Sequence, residues 1–240
     1  MESLTDKVII LTGASRGIGR ATAINLSEDN PKLVLVSRKR NDLDEVLPFL
    51  KCDESNVILV EADVSNEKDC DRIIDEAVKA FGTVDILINN AAQFGRANVT
   101  DLKMEDFDRI IGTNLRGVIY LTKLVLPYMI EKESGTIMNI SSTAGKRGYE
   151  GGTAYSASKH ALNAFSDCLN KEVRPKNIRV LTISPSSVDT REKPESEIKS
   201  GGKGVYMRME DVAESICLAL RLPQRALIND IEIWGTNPWK

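Results

Sequence analysis

Seven short apolar runs, most of them rich in β-branched residues, recur along the chain, each separated from the next by a longer amphipathic stretch. They are Val8 to Leu11, Leu33 to Val36, Val57 to Val60, Ile86 to Ile88, Thr136 to Ile140, Arg179 to Ile183 and Ile231 to Trp234. Runs such as VIIL and LVLV are apolar at consecutive positions rather than alternate ones, so both faces of these strands must be covered, as in a parallel sheet. The intervening stretches predict helices over Gly17 to Glu28, Asn41 to Leu50, Glu67 to Phe81, Met104 to Glu131, Thr153 to Val173 and Glu210 to Leu220. Asn30-Pro31, Ser134-Gly135, Pro175 and Pro223 fall where those helices should stop. Strand and helix in strict alternation imply one doubly wound α/β domain with right-handed crossovers, spanning residues 1–240.

Composition excludes several classes of function. With 42% apolar and 28% charged residues, the 240-residue chain has material for a sizeable core. A formal charge of -3 gives no electrostatic case for nucleic acid or a membrane surface. No apolar run reaches the ~18 residues of a membrane span, and MESLTDK carries acids where a secretory signal would carry bases, so a cytoplasmic location is expected. Four scattered cysteines (Cys52, Cys70, Cys168, Cys217) and a single histidine, His160, form no zinc pattern, and no metal is expected.

The first strand runs directly into Thr12-Gly13-Ala14-Ser15-Arg16-Gly17-Ile18-Gly19 and then into a helix. Glycines there let the backbone turn sharply and approach a diphosphate, and the helix N-terminus offers free amides and a positive dipole end. Downstream, NISSTAGKRGYEGGTAYSASKHA places Ser142 just past a strand, with Tyr155 and Lys159 four residues apart on one helix face. A phenol titrates near ~10 in water, and a neighbouring ammonium lowers that value by favouring the phenolate. Tyr155 thereby becomes a candidate acid and base.

The Gly-x3-Gly-x-Gly spacing together with Tyr-x3-Lys resembles the short-chain dehydrogenases/reductases, and the 3-oxoacyl-carrier-protein reductase-like members in particular. The similarity extends to Asp63-Val64, Asn89-Asn90-Ala91-Ala92, Asn114, Ser142, Tyr155 and Lys159, each in family order. It implies a Rossmann-type parallel sheet of seven strands in the order 3-2-1-4-5-6-7 with helices on both faces. It also implies hydride transfer between a nicotinamide cofactor and a small-molecule carbonyl or alcohol. Tyr155 would move the proton, Ser142 would bind the carbonyl oxygen, Lys159 would bind the ribose and hold down the tyrosine pKa, and Asn114 would hold a water linking Lys159 to solvent.

For the cofactor, the resemblance assigns Gly13, Ser15, Arg16, Gly17, Ile18 and Gly19 to the diphosphate turn and Asp63 and Val64 to the adenine. Asn90, Ala91 and Ala92 would line the adenosine-ribose side, with Asn89 bracing the sheet. Pro185, Val188 and Thr190 would meet the nicotinamide end, with Ser186 standing where many relatives have glycine. Ser37 and Arg38 end the second strand without the acid that favours NAD. Two guanidiniums, Arg16 and Arg38, suit a 2'-phosphate, so NADP(H) is expected over NAD(H), unless both simply face water.

The stretch TREKPESEIKSGGKG from Thr190 to Gly204 is almost free of apolar residues, either a solvated loop or a lid, and residues 191–207 are the expected substrate loop. Arg96, Lys146 and Arg147 are bases at the expected mouth, able to attract an acidic group or merely to face solvent. A homodimer or homotetramer through the two long helices follows from the resemblance. The alternative reading is a catalytically silent, nucleotide-binding regulatory protein on the same fold.

Overall fold

A computed structural model describes residues 1–191 and 205–236. Nearly all of the expected substrate loop, residues 192–204, lies outside the described residues. The strands are β1 (Val8–Thr12), β2 (Lys32–Ser37), β3 (Val57–Glu61), β4 (Ile86–Asn89), β5 (Gly135–Ile140), β6 (Ile178–Pro185), the short pair β7 (Val188–Asp189) and β8 (Met207–Arg208), and β9 (Asp230–Ile233). The helices are α1 (Gly17–Ser27), α2 (Arg40–Asp44), α3 (Glu67–Phe81), α4 (Met104–Ile111), α5 (Gly117–Glu131), α6 (Thr153–Val173) and α7 (Met209–Leu220). Seven parallel strands form one sheet in the order β3-β2-β1-β4-β5-β6-β9. This is the expected order, its last member being the Ile231 to Trp234 run, here Asp230–Ile233.

Consecutive strand residues feed two separate cores, which is why the runs carry no polar alternation. Ile9 and Leu11 of β1 face α1 and α7, packing with Leu26, Ile216 and Leu220. Ile10 faces the other way, toward Ile73 of α3, Val125 of α5 and Leu169 of α6. Each fully buried Leu or Ile contributes about 2 kcal/mol, so either cluster outweighs the exposed ion pairs many times over.

Two elements differ from the sequence reading. The helix predicted over Asn41 to Leu50 shrinks to α2 and a single 3-10 turn, Leu47–Phe49, because Pro48 cannot continue the α-helical ladder. The long helix from Met104 to Glu131 is continuous in space but contains a π-helical turn, Gly112–Arg116, between α4 and α5. Such turns inside helices are rare and are often found at functional sites.

Candidate active site

The sheet reverses its winding between β1 and β4, and the carboxyl ends of these strands form the crevice where open α/β sheets bind ligands. Gly13 and Gly17 both adopt left-handed backbone, with φ of 67° and 57°. A Cβ on Gly13 would lie 2.9 Å from the Ala91 Cα, and one on Gly19 would collide with the Gly13 carbonyl oxygen. The turn is therefore closed backbone on backbone, leaving its outer side open to a large anion.

Asn90 holds this turn from β4. Its Nδ2 donates to the carbonyls of Thr12 at 2.9 Å and Gly13 at 3.1 Å, while the Thr12 hydroxyl accepts from the amides of Asn90 and Ala91, each at 3.0 Å. The Asn90 side chain thus braces the glycine turn. Asn89 braces the sheet, donating to Asn139 Oδ1 at 2.8 Å. Helix α1 begins at Gly17 with no side-chain cap and no acid in its first turn, which leaves its positive end available to a diphosphate. Ser15 and Ile18 flank this turn half-buried, Ile18 packing against the α1 and α7 core, and the Thr190 methyl sits over Gly17, 3.6 Å from where a Cβ would be.

Arg16 and Arg38 are exposed, and among the described residues neither is in an ion pair. Ser37 is turned into its own loop: its hydroxyl donates to the Lys39 carbonyl at 2.7 Å. The Ser37 hydroxyl is therefore not free to donate to a 2'-phosphate at this corner, where the exposed cations are Arg16, Arg38 and Lys39. Asp63 accepts from the Ser65 amide and hydroxyl at 2.9 and 2.7 Å. The Val64 side chain belongs to the core beside Cys70 and Leu121, so a contact of this residue with the adenine would be made by its backbone. Ala92 is exposed, and Val188 packs against the α1 face with Ile18.

Helix α6 carries the candidate catalytic pair. Lys159 is only 2% exposed, and its ammonium donates to the Ile140 carbonyl at 2.7 Å, 5.9 Å from the centre of the Tyr155 ring. Burial lowers its pKa to about 8. Tyr155 departs from expectation: burial raises its pKa, and the Ser142 hydroxyl offsets only part of that rise. Burial, not the neighbouring ammonium, sets the direction of the Tyr155 shift. Phe94 lies edge-on to Tyr155, ring centres 5.2 Å apart.

Ser142 has extended backbone after β5; its hydroxyl accepts from the Ala144 amide at 3.1 Å and makes a long contact, 3.4 Å, to the Pro185 carbonyl of β6. Asn114 sits in the π turn. Its Oδ1 accepts from the Gln93 amide at 2.7 Å, and its Nδ2 donates to the Gln93 carbonyl at 2.9 Å and to Ser158 at 3.0 Å. Ser158 in turn donates to the Tyr155 carbonyl at 2.7 Å. Both amide hydrogens of Asn114 are used, so only an oxygen of this residue can hold a water.

Two further residues outside the family motifs complete the site. Asn163, one turn beyond Lys159, accepts from the Ser141 hydroxyl at 2.6 Å and donates to the Gly145 carbonyl at 2.9 Å. Gln93 links the β4 end to the π turn through its backbone. Of the three bases at the mouth, Lys146 is paired with Asp230 and Glu232, Arg147 lies 5.7 Å over the Trp234 ring, and Arg96 packs against Gly151. His160 sits on the helix surface with its Nδ1 2.9 Å from the Ser156 carbonyl.

The sequence profile of the family described as short chain dehydrogenase matches residues 7–200. An uncharacterised oxidoreductase of Staphylococcus aureus strain USA300 is 35% identical over 97% of this chain and 99% of its own. A metagenomic short-chain oxidoreductase solved in complex with NADP superposes with a TM-score of 0.83 at 27% identity, covering 98% of this chain and 99% of that one. The 3-ketoacyl-(acyl-carrier-protein) reductase of Brucella melitensis, solved with NADH, gives a TM-score of 0.85 at 28% identity over 98% and 100%.

Proposed function

We propose that this chain, which belongs to the short-chain dehydrogenase/reductase family and is an oxidoreductase, interconverts a carbonyl compound and a secondary alcohol with NADP(H) preferred over NAD(H). The observation that carries the reading is the convergence on one crevice of an uncapped glycine turn and a helix face presenting Tyr155 and Lys159 beside Ser142. Bound in that crevice, the dinucleotide supplies or accepts the hydride.

The chain's own share is a proton and an oxygen. Tyr155 gives its phenolic proton to the carbonyl oxygen in reduction and removes it from the alcohol in oxidation. Ser142 donates to the same oxygen and stabilises its developing charge. Lys159, with its pKa lowered by burial to about 8, exchanges a proton near neutral pH and restores the tyrosine, and Asn114 holds the water that connects it to solvent. An intact set of this kind argues against a silent regulatory protein.

Arg16 and Arg38 support the NADP(H) preference, since no acid stands at the end of β2 to repel a phosphate. At the mouth, Phe94 and Tyr149 are 62% and 41% exposed, apolar walls for a flat or hydrophobic ketone. With Lys146 and Arg147 engaged elsewhere, Arg96 is the base left to meet an acidic substituent. Exposed Met104, Ile119 and Ile130 on α4 and α5 fit a homodimer or homotetramer, and a cytoplasmic location goes with the same reading. The test is NADPH and NADH titration by fluorescence, then NADPH oxidation with a panel of ketones and diketones. Turnover is expected; its absence with every carbonyl, or tighter binding of NADH, would overturn the corresponding part.

A further inference from the structure

We infer that Asn163 is a positioning residue that holds the Ser142 turn in its working geometry. The inference rests on the proposed reaction for its kinetic consequence, and on the hydrogen bonds alone for its structural one.

The turn from Ser141 to Gly145 enters the site from β5 and has no regular structure of its own beyond one 3-10 turn, Thr143–Gly145. Its internal bonds, from the Ala144 amide to the Ser142 hydroxyl at 3.1 Å and from the Gly145 amide to the Ser142 carbonyl at 2.8 Å, fix its shape but not its place. Its near end is tied to β6, where the Ser141 amide donates to the Ile183 carbonyl at 2.7 Å and the Ser142 hydroxyl makes its long contact to Pro185; its far end is placed from α6. Residues 155, 159 and 163 of that helix are spaced by four and share one face. Tyr155 meets Ser142, Lys159 takes the carbonyl of Ile140 just before the turn, and Asn163 takes the two ends of the turn itself.

The two atoms of the Asn163 amide do different jobs, one accepting from the buried Ser141 hydroxyl and one donating to the Gly145 carbonyl, so no other residue of that size replaces it. Gly145 fits because the approach is close: a Cβ there would lie 2.7 Å from the Asn163 nitrogen and 2.8 Å from the Lys159 carbonyl. With the amide removed, the turn stays tied at Ile140 and at the Ser141 amide, but its far end at Gly145 is free to drift and to carry the Ser142 hydroxyl from the phenol. A displacement of an ångström in a group that binds the reacting oxygen is enough to be costly.

The test is a double-mutant cycle between Asn163→Ala and Ser142→Ala, with Ser141→Ala as a second, smaller cut of the same clamp. Asn163→Ala should lower kcat about tenfold with KM and NADPH affinity within about twofold, and Ser141→Ala should do the same more mildly. In the Ser142→Ala background the Asn163→Ala effect should vanish, because the residue acts through that hydroxyl. Hydrogen exchange is read alongside: the Ala144 amide should exchange faster in Asn163→Ala while the amides of α6 stay protected. An undiminished loss in the Ser142→Ala background, a parallel fall in NADPH affinity, or unchanged Ala144 exchange would each overturn the clamp. A wild-type protein inert toward every carbonyl would instead overturn the proposed reaction, and the exchange result would still judge the clamp.

Discussion

The glycine turn after β1 and the serine turn after β5 lie at the same edge of the sheet but are built from different materials. The first is packed backbone against backbone, with Asn90 as its one side-chain brace: Gly13 and Gly19 are small because the chain itself occupies most of the space a side chain would need. The second is joined to β6 at its start and held at its far end by side chains reaching from α6, with Asn163 and Lys159 as its ties. A turn closed by backbone leaves its mark in the sequence as glycine. A turn closed by side chains at a distance leaves none.

The strongest way to separate the two is to disable the chemistry without touching the cradle. Tyr155→Phe should lower kcat about 10³-fold, the scale of a lost general acid, while NADPH still quenches or shifts fluorescence with unaltered affinity. Parallel loss of binding would mean that the two turns are one structural unit. The converse cut is Gly19→Ala, whose methyl collides with the Gly13 carbonyl. NADPH affinity should fall on the order of 100-fold by titration, whereas Gly148→Ala, at a position with nothing within 4 Å, should match wild type.

A smaller effect belongs to the corner where β2 ends. Arg38→Ala and Arg16→Ala should each weaken NADPH roughly tenfold, the value of one charge-assisted contact, and leave NADH within about twofold. Equal losses for both nucleotides would place the arginines on the shared diphosphate and remove the basis for the preference.

The contrast between the two turns also explains what the sequence disclosed. The seven strands and the nucleotide turn follow from apolar runs and glycine spacing, since both faces of VIIL are buried and Gly13 can be nothing else, whereas the strand order comes from the family resemblance. The π turn was hidden because Met104 to Glu131 keeps a helical pattern throughout, and a shift of one residue in hydrogen bonding leaves composition unchanged. Asn163 and Ser141 were hidden because their roles exist only once α6 lies against β5. Arg179 is similar: buried in β6, it caps the carbonyl end of α7 by donating to Leu220, at 3.3 Å, and to Leu222 beyond it, at 2.9 Å, which no local pattern on β6 suggests. The direction of the Tyr155 pKa is hidden in the same way, because the burial that raises it exists only once the chain has folded.

The Lys159 ammonium supplies the finest test, one read in stability instead of turnover. Lys159 titrates near 10.5 in an unfolded chain and at about 8 in the fold, with burial as the cause. The folded state therefore gives up its proton first, and the unfolded state binds more protons between the two values. Stability must rise with pH across that window: the burial penalty is present in full below about pH 8 and is relieved as pH climbs toward 10.5. From pH 7.5 to 9 the gain attributable to this group is about 1 kcal/mol. Lys159→Met, which keeps the volume and loses the charge, should lack it. Urea unfolding of both proteins at the two pH values isolates the difference, since every other titrating group is common to the pair. A wild type whose advantage or deficit relative to Lys159→Met is the same at both pH values would mean that Lys159 is not titrating in this range. The ammonium would then be a fixed tie between α6 and β5, still holding the serine turn but unable to restore the proton to Tyr155 near neutral pH.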